Sequence, residues 1–553
     1  MSKKTFGSIM LAAALSLCFG SFAFGQEVTG SIVGTVRDAS GAVVPGATVT
    51  ITDPSKGDIV VRTATTNDSG EFSAPNLTIS TYTVTVEAGN FKKSVTTEVK
   101  VDVGQRRNVD VSLEAGNIAE VVTVEADSVA VDLVSPTSST VISGVQAREI
   151  PINNRNWVQL ITLAPGVSND LADQVYVGTT NPDGQANTIN VSVNGARSSQ
   201  NTFTVDGSDV TDRGSNITIQ AYPSVDSIGE FSILRSLYPA ESGRSGGGQV
   251  NVVTRSGGED FSGSAYIFTR NEAFNANNFL TNRTTSPPFG RDENGKAKRA
   301  PFRYYNYGFT VGGPVYFFNF GENDGGFFRK YDRTFFFFSE EARRDRRFTS
   351  AVTTTVPDAA LRNGIFPIAV CINRRYLSEA CTGTNVLAAG SPIPTGQLSP
   401  AALAYLNGIY RQLPLPNDPT VPYGLTTQIA NEADFRQEIF KIDHSVNDKL
   451  SMYYRYQQDK IPTEDGNALF ASGSSLPFVS TTSTNSPGRT HTFQTSYVVS
   501  PKFIIEGRYN YGYGAILSGN IGLLSNERTN VPIVLPFANQ RDRIPTITGN
   551  GFT

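Results

Sequence analysis

The second half of the chain is a succession of segments in which polar and apolar side chains alternate, and this pattern constrains the fold most. Alternation at every second residue is the period of a β-strand. Seven such segments follow residue 259, each about 8–14 residues long, which is enough for a tilted strand to cross a bilayer. They are residues 261–270, 302–313, 334–347, 435–443, 450–457, 491–499 and 503–511.

The connections between these segments predict how they assemble. Residues 445–449 and 500–502 are short connections, whereas residues 348–434 and 458–490 are long ones. Short turns on one side and long loops on the other are typical of a bacterial outer-membrane barrel. The connection at 315–333 is an exception, because its position requires a short turn. We therefore expect the first strands of a transmembrane antiparallel β-barrel in a mainly β protein, and the alternative is a large soluble β-sandwich.

Aromatic and charged residues within these segments give two further expectations. Aromatic clusters at 304–305, 335–338 and 509–511 are predicted to form girdles at the membrane interfaces. Adjacent opposite charges at 340–347 are predicted to lie on a solvated face, where they neutralise each other.

The N-terminus predicts export. Lys3 and Lys4 precede an apolar stretch at 9–24, so residues 1–25 form a predicted secretory signal peptide. No later run reaches the roughly 18 apolar residues of a membrane-spanning helix. An exported protein of this kind meets a membrane through β-strands, because only helices and closed barrels satisfy every backbone group in lipid. We expect the protein in the outer membrane.

Composition argues against several functional classes. The formal net charge is −4 and charged residues make up 17% of the chain, so a nucleic-acid partner is not expected. With 2 His in 553 residues and no recognisable ligand spacing, we expect no metal, no cofactor and no catalytic residue. Cys371 and Cys381 lie in the longest loop, where a disulfide is the expected state in an exported protein.

Residues 27–115 predict a small β-sandwich. Short alternating strands separated by frequent turn sequences are typical of such a fold. The sequence of the segment resembles the carboxypeptidase-regulatory-like domain, and this resemblance implies a carbohydrate-binding-like fold. It does not imply peptidase activity, because the segment has no recognisable set of metal ligands. The stretches that carry the resemblance are 34–38, 45–49 and 68–72.

Residues 117–126 contain a short alternating segment whose role the pattern leaves open. The segment follows the sandwich and precedes a stretch rich in Pro, Ser and Thr, so it reads as an isolated strand with free edges, suited to pair with another chain. Equally, it can be the last strand of the sandwich or the first strand of the next domain. Its central residues are Glu120, Val121, Val122, Thr123 and Val124.

Residues 127–258 predict a compact α+β domain. Two helices are expected, at 143–150 and at 156–163, where the only tryptophan lies. The expected strands are 189–193, 203–205, 231–234 and 249–254.

Three motifs in this domain suggest roles that their context must decide. Ser245 stands in a G-x-S-x-G pattern, but a nucleophile elbow needs a helix after the serine, and a Val-rich strand follows here. Asp206, Asp209 and Asp212 suggest calcium, yet solvated turn carboxylates are the expected role because Val210 stands where an EF-hand loop needs Asp or Asn. The pair at 194–195 predicts a hairpin turn.

Taken together, the segments resemble a TonB-dependent outer-membrane transporter of the Oar-like group. The resemblance rests on residues 193–197, 204–207, 241–257, 312–314, 334–338 and 441–444. It implies a plug domain at 127–258, a partial barrel at 259–553, and a candidate TonB box at 117–126. It also implies plug-motif roles for Asn194, Gly195, Arg197, Asp206, Gly207, Gly243, Arg244, Gly247 and Asn251.

The function implied by this resemblance is active uptake of an unidentified large or scarce ligand. TonB, with its inner-membrane energising complex, would be the protein partner, outer-membrane lipid would surround the barrel, and the extracellular ligand would be a carbohydrate or a peptide among other candidates. The alternative is a surface adhesion or interaction protein that uses the sandwich as its binding module. Because a family barrel has more strands than the seven found here, the chain is expected to be an N-terminal fragment or a truncated product.

Overall fold

The structure is a computed structural model. It describes residues 29–126, 137–152, 155–169, 191–212, 216, 219–238, 243–283, 287, 289–318, 328–348, 352–372, 380–465, 476, 478–479, 481–500, 503–523 and 531–532. The predicted signal peptide lies outside these residues. Among them, no helix has the length and the apolar character needed to cross a membrane.

The N-terminal unit is a β-sandwich. Its strands are β1 (Gly30–Asp38), β2 (Thr48–Asp53), β3 (Ile59–Thr65), β4 (Glu71–Leu77), β5 (Ser80–Glu87), β6 (Lys93–Val101), β7 (Arg106–Asn108), β8 (Val111–Leu113) and β9 (Val121–Glu125), and a 3-10 helix spans Pro54–Lys56. In one sheet β1 pairs with β4, β7 and β8; the other sheet has the order β3-β2-β5-β6-β9. Every second side chain of the longer strands points into the core between the sheets, which includes Ile32, Val49 and Tyr82.

The next unit, residues 137–258, is called the plug here. Its elements are β10 (Ser138–Ser143), α1 (Gly144–Glu149), β11 (Val167–Asn169), β12 (Val191–Val193), β13 (Thr202–Val205), β14 (Ser208–Asp209), β15 (Ile228–Ser236) and β16 (Gln249–Thr254), with 3-10 helices at Trp157–Leu163, Ser198–Gln200 and Val225–Ser227. The main sheet has the order β10-β15-β16-β13-β14, and β11 pairs with β12. Ser143 begins α1 with a capping box to Gln146. Trp157 is buried against Phe231, with ring centroids 5.4 Å apart.

The rest of the described chain forms long antiparallel strands and the loops between them. The strands are β17 (Ser262–Asn271), β18 (Phe302–Phe318), β19 (Phe328–Phe348), β20 (Val352–Thr355), β21 (Val370–Cys371), β22 (Val386–Leu387), β23 (Gly424–Thr427), β24 (Ala430–Asn447), β25 (Leu450–Lys460), β26 (Pro462–Asp465), β27 (Thr482–Asn485), β28 (Gly488–Ser500), β29 (Phe503–Gly514) and β30 (Leu517–Asn520). The helices are α2 (Phe279–Arg283), α3 (Ala359–Arg362), α4 (Pro400–Gly408) and 3-10 helices at Glu272–Phe274, Gly383–Asn385, Thr395–Gln397 and Tyr410–Gln412.

Seven of these strands follow one another in a single sheet, which we call the wall. Its order is β17-β18-β19-β24-β25-β28-β29, and every neighbouring pair is antiparallel. The seven strands expected from the alternation are confirmed. The long connection expected at 315–333 is wrong, because β18 continues to Phe318 and β19 already begins at Phe328.

The two faces of the wall carry opposite kinds of side chain. Asn306, Arg455 and Gln457 are buried on the face that meets the plug. Ile267 and Tyr509 stand on the other face and are 65% and 67% exposed. A soluble sheet has the reverse pattern, whereas polar side chains inside and apolar ones outside are typical of a membrane barrel. This distribution argues against the soluble β-sandwich.

The aromatic clusters are divided between these faces. Tyr305, Tyr509 and Tyr511 are exposed, as a girdle requires. Phe335 and Phe337 are buried on the inner face instead. Consecutive residues of a strand point to opposite faces, so the expectation that whole clusters form girdles is wrong for alternate members.

The long loop after β19 has a local structure of its own. Cys371 and Cys381 are joined by a disulfide, with their Cα atoms 5.7 Å apart. The short strands β20 and β23 pair at the base of the loop, and β21 pairs with β22 next to the disulfide. Ala404, Leu413 and neighbouring residues pack into a small core.

Candidate functional site

The plug meets the wall at the turn of a tight hairpin. β13 and β14 pair so that Val205 stands opposite Ser208, with Asp206 and Gly207 as the two turn residues. Both have a left-handed backbone, with φ of 46° and 71°. A two-residue turn of this kind needs positive φ at both positions, which Asp-Gly tolerates well. The turn therefore places the Asp206 side chain beside Thr254, at the end of β16 that faces the wall.

Asp206 is the centre of a buried charged network. Its carboxylate accepts hydrogen bonds from the backbone N–H of Thr254 at 2.9 Å and from the Thr254 hydroxyl at 2.7 Å. Lys441 of β24 and Arg455 of β25 each place a nitrogen 3.5 Å from it. Only 2% of Asp206 is exposed, so its expected role as a solvated turn carboxylate is wrong. The expectation missed the long-range cations, which local turn chemistry does not reveal.

The environment of Asp206 keeps it ionised. Burial alone would raise the pKa of the carboxyl, but the positive charges of Lys441 and Arg455 and the two hydrogen bonds from Thr254 outweigh this effect. The pKa of Asp206 is therefore held below its ordinary value. A plug carboxylate is matched by two cations of the wall, which ties the plug to one position on the inner face.

Further hydrogen bonds surround the same turn. The Tyr453 hydroxyl donates to the Asp206 carbonyl at 2.8 Å, and Arg508 donates to the Gly207 carbonyl at 3.0 Å. The Ser208 and Thr492 hydroxyls lie 3.0 Å apart. These contacts join one plug hairpin to β25, β28 and β29, so the turn is anchored by hydrogen bonds to three wall strands as well as by ion pairs.

A second buried network joins the plug to β19. Arg155 of the plug pairs with Asp226 and also lies 3.4 Å from Glu341 of the wall. Its guanidinium stacks over the Tyr266 ring at 4.5 Å, and the Tyr266 hydroxyl donates to Glu341 at 2.7 Å. Asn306 also donates to Glu341, at 3.0 Å. Three kinds of donor thus satisfy one wall carboxylate.

This network corrects the expectation for the charge run at 340–347. Glu341, Arg343 and Asp345 are buried on the inner face, so the run does not form one solvated face. The alternation of a strand explains the result, because odd-numbered members point to the plug and even-numbered members point away. The same alternation, applied to the charge run, would have revealed these residues in the sequence.

A third contact between plug and wall depends on two glycines of the wall, which have no side chains. The plug loop at Gln220 packs so closely on Gly488 and Gly512 that a Cβ at either glycine would overlap it. Beside it, the Tyr222 N–H donates to Asp459 at 3.0 Å. Glycine is required here by close approach rather than by an unusual backbone angle.

The other plug-motif residues lie at the opposite end of strands β13 and β16. Gly243 and Arg244 are exposed, and Arg244 has a left-handed φ of 65°. Gly247 is buried, and a Cβ there would lie 2.6 Å from the Asn201 side chain. Asn251 lies in the plug interior and accepts a hydrogen bond from the Thr204 hydroxyl at 2.8 Å.

Ser245 and the Asn-Gly turn lie at this same end. The Ser245 hydroxyl is 2.9 Å from the Gln200 carbonyl, and strand β16 follows rather than a helix, so the nucleophile-elbow geometry is missing. Asn194 and Gly195 both have positive φ, as a tight turn requires. A 3-10 helix follows that turn, with Arg197 exposed at its start, so the expected hairpin is wrong.

The segment at 117–126 is the edge of the sandwich. β9 runs parallel to β6, with Val121 beside Lys93 and Glu125 beside Thr97. The description of an isolated strand is therefore wrong for one of its two edges. Val121 and Val124 are 57% and 51% exposed, so apolar burial contributes little to holding the segment in place.

The sandwich also contacts the plug and the plug–wall junction. The Val103 N–H donates to a carboxyl oxygen of Glu230, and Ile79 and Val103 pack against Val253 of the plug. The Glu259 N–H donates to the Ser55 carbonyl at 2.8 Å. Burial, with the negative charge of Asp102 beside it, raises the pKa of Glu230 to about 8. A cavity of about 300 Å³ lies where sandwich, plug and wall meet.

Among the described residues, no three or more His, Cys, Asp or Glu side chains are grouped so that they could hold a metal ion. Buried charges are instead paired in the two networks around Asp206 and Arg155. These networks match charge of one sign on the plug with charge of the other sign on the wall, which is a positioning arrangement rather than a catalytic one.

Comparison with known proteins gives matches that cover both ends of the chain. Residues 253–553 match the model of the outer membrane beta barrel domain, and residues 31–114 match that of the carboxypeptidase regulatory-like domain. The chain is 28% identical over 264 residues to the TonB-dependent transporter Oar of Myxococcus xanthus. That match covers 46% of this chain and 23% of the relative, so less than a quarter of the relative is represented.

Two of the solved structures to which the chain is similar come from outer-membrane proteins. The outer membrane transporter YddB from Escherichia coli matches with a TM-score of 0.43 and 11% identity, over 69% of this chain and 40% of that one. The ferric enterobactin receptor PfeA from Pseudomonas aeruginosa matches with a TM-score of 0.35 and 10% identity, over 70% of this chain and 42% of that one. Since the barrel model spans more than half of the 553 residues, this outer-membrane protein belongs to the outer membrane beta barrel domain family.

Proposed function

We propose that the protein is a TonB-dependent outer-membrane receptor that takes up an extracellular ligand. The observation that carries the proposal is a plug attached to the inner face of the wall through the buried ion pairs of Asp206 and Arg155. The similarity to the transporter Oar supports the same conclusion. The candidate ligands are carbohydrates and peptides.

The polar character of the contact explains how such a plug would move. A plug held by apolar packing would expose a hydrophobic core when displaced, with a free-energy cost that grows with the area exposed. Ion pairs and hydrogen bonds instead exchange their partners for water, which offsets much of the loss. The network around Asp206 therefore fixes one resting position and still allows the plug to be displaced by a pulling force.

The pulling force would enter through the segment at Glu120, Val121, Val122, Thr123 and Val124. An extended segment at a sheet edge binds a partner strand through main-chain hydrogen bonds. TonB, energised by its inner-membrane complex, is the proposed partner. The exposed loop ends at Asn194, Gly195, Arg197, Gly243 and Arg244 would belong to the movable plug, while Asp206 and Gly207 hold it to the wall and Gly247 and Asn251 maintain its interior.

The experiment begins by identifying what the protein removes from the medium. Mass spectrometry of spent medium is compared between the wild type, a strain lacking this protein and a strain lacking TonB. The proposal predicts components whose depletion requires both proteins. Depletion that needs this protein but not TonB would contradict the proposal, and so would surface attachment without depletion, which is the behaviour of an adhesion protein.

A disulfide between plug and wall then tests plug movement. Ser208→Cys combined with Thr492→Cys replaces two hydroxyls that lie 3.0 Å apart. We expect the oxidised double variant to bind the identified component at the cell surface but not to deplete it, and reduction should restore depletion. Each single cysteine variant is the matched control. Normal depletion by the oxidised form would show that uptake does not need this hairpin to move.

A further inference from the structure

The strand proposed to engage TonB has one edge occupied and one edge open. β9 pairs with β6 on one side, and at its ends the Lys93 N–H donates to the Glu120 carbonyl at 2.9 Å while the Ala126 N–H donates to the Thr97 carbonyl at 3.0 Å. Among the described residues, the sheet ends at β9, with no strand on its other edge.

The two end bonds fix which backbone groups face outward. In a parallel pair, alternate residues of a strand turn their N–H and C=O groups to the same neighbour. Because Glu120 and Ala126 both bond to β6, the even-numbered residues Val122 and Val124 do so as well. The odd-numbered residues of β9 therefore present their N–H and C=O groups at the open edge. They are Val121, Thr123 and Glu125.

The open edge lacks several of the features that normally prevent pairing. β9 contains no proline, no lysine and no bulge, which are the usual ways of blocking a sheet edge. Its side chains are largely exposed on both faces of the sheet, so no element among the described residues covers the path of an incoming strand. The inner edge is held by the ladder to β6 and by the ion pair of Lys92 with Glu120 at 3.2 Å.

We propose that TonB adds a strand to the open edge of β9 while β9 stays paired with β6. This inference rests on the proposed function, and it specifies how the partner binds. Val121, Thr123 and Glu125 would supply the hydrogen bonds, and an acidic side chain at Glu125 favours a partner edge with a basic residue opposite it. The sandwich sheet and the partner sheet then form one continuous sheet.

This arrangement places the sandwich in the path of the force. A pull on β9 is carried through β6 to the rest of the sandwich rather than through the linker alone. The sandwich contacts the plug where Val103 donates to Glu230, and it contacts the start of the wall where Glu259 donates to Ser55 at 2.8 Å. The sandwich would thus transmit force from TonB to the plug.

A disulfide that locks β9 to β6 tests the proposal. Val95 and Thr123 are direct neighbours in the register, and both side chains are at least partly exposed. Adjacent strands lie about 4.8 Å apart, which is within the range that a disulfide spans. The full-length protein carrying Val95→Cys and Thr123→Cys is purified in detergent and titrated, oxidised and reduced, with the purified TonB C-terminal domain. The single variants are controls.

Edge addition predicts that the oxidised and reduced forms bind the TonB domain with dissociation constants within about twofold of each other. Binding by the reduced form alone would show that TonB displaces β9, which overturns the proposal. If neither these forms nor the unmodified protein binds, the proposed function itself fails, so the two failures are distinguishable.

Two neighbouring proline variants give an independent measurement, because proline removes one backbone donor. Thr123→Pro removes a donor from the open edge, and we expect affinity for the TonB domain to fall at least about tenfold. Val122→Pro removes a donor to β6, and we expect a loss of less than about threefold. Thermal unfolding is measured to check that both variants keep the folded sandwich. The reverse order of effects would mean that TonB binds the edge now occupied by β6, and it would overturn the proposal.

Discussion

Replacing Asp206 by asparagine should loosen the plug without unfolding it. The amide keeps a side-chain oxygen that can accept the bond from the Thr254 N–H, but both ion pairs are lost, leaving Lys441 and Arg455 buried without their counter-charge. Removing one partner of a buried ion pair costs about 3–5 kcal/mol. The nitrogens lie 3.5 Å from the carboxylate, longer than the roughly 2.8 Å of a strong charge-assisted bond, so we expect the lower limit of about 3 kcal/mol.

Hydrogen exchange of the purified protein measures this loss directly. The Thr254 amide is protected by its bond to Asp206, so a cost of about 3 kcal/mol should lower its protection roughly a hundredfold. Asp209→Asn is the matched control, because that carboxylate caps its own turn at Thr211, and we expect a change of less than about threefold. Adding Lys441→Met to Asp206→Asn should recover part of the protection. Unchanged exchange at Thr254 in Asp206→Asn would refute the reasoning.

Three further predictions concern other contacts of the plug. Gly488→Val should push the Gln220 loop away from the wall and raise exchange at residues 219–222, whereas Gly519→Val, with nothing within 4 Å of its Cβ position, should not. Ser245→Ala should leave ligand depletion unchanged, and labelling of Ser245 by a fluorophosphonate probe would contradict this. The pKa of Glu230 is raised to about 8, so the protonated carboxyl stabilises the fold fully below about pH 4.5. This stabilisation falls by about 1.4 kcal/mol per pH unit as the pH rises to about 8. Glu230→Gln should therefore flatten the fall in melting temperature between about pH 4.5 and about pH 8.

The wall was the most predictable part of the fold. Its strands alternate strictly over many residues, and the period of two is imposed by local backbone geometry, so the sequence alone locates them. The ends were less predictable, as the extension of β18 to Phe318 shows. There the run of aromatic residues loses the alternation, and pairing with β19 decides how far the strand continues.

The contacts that define the site were harder to predict, because their partners are far apart in the chain. Asp206 and Lys441 are separated by more than 200 residues, and the local sequence around each indicates only a turn or a strand. The position of β9 has the same explanation. Its alternation allows pairing with any free edge, and only the folded sandwich shows that β6 provides one.

The plug is held differently on its two sides, one of which faces the wall and the other the sandwich. On the wall side, buried charges such as Asp206 and Glu341 hold the plug in one position, and a misplaced plug would leave them unpaired at a cost of several kcal/mol. On the sandwich side the contact includes Val103, Ile79, Val253 and Glu230. If force enters through β9, as proposed, it reaches the plug through this contact, whereas buried ion pairs hold the plug to the wall. Under that proposal, the sandwich has to stay attached until the wall contacts have exchanged with water. A variant with a weaker contact at Glu230 should then detach the sandwich from the plug before the Asp206 network opens.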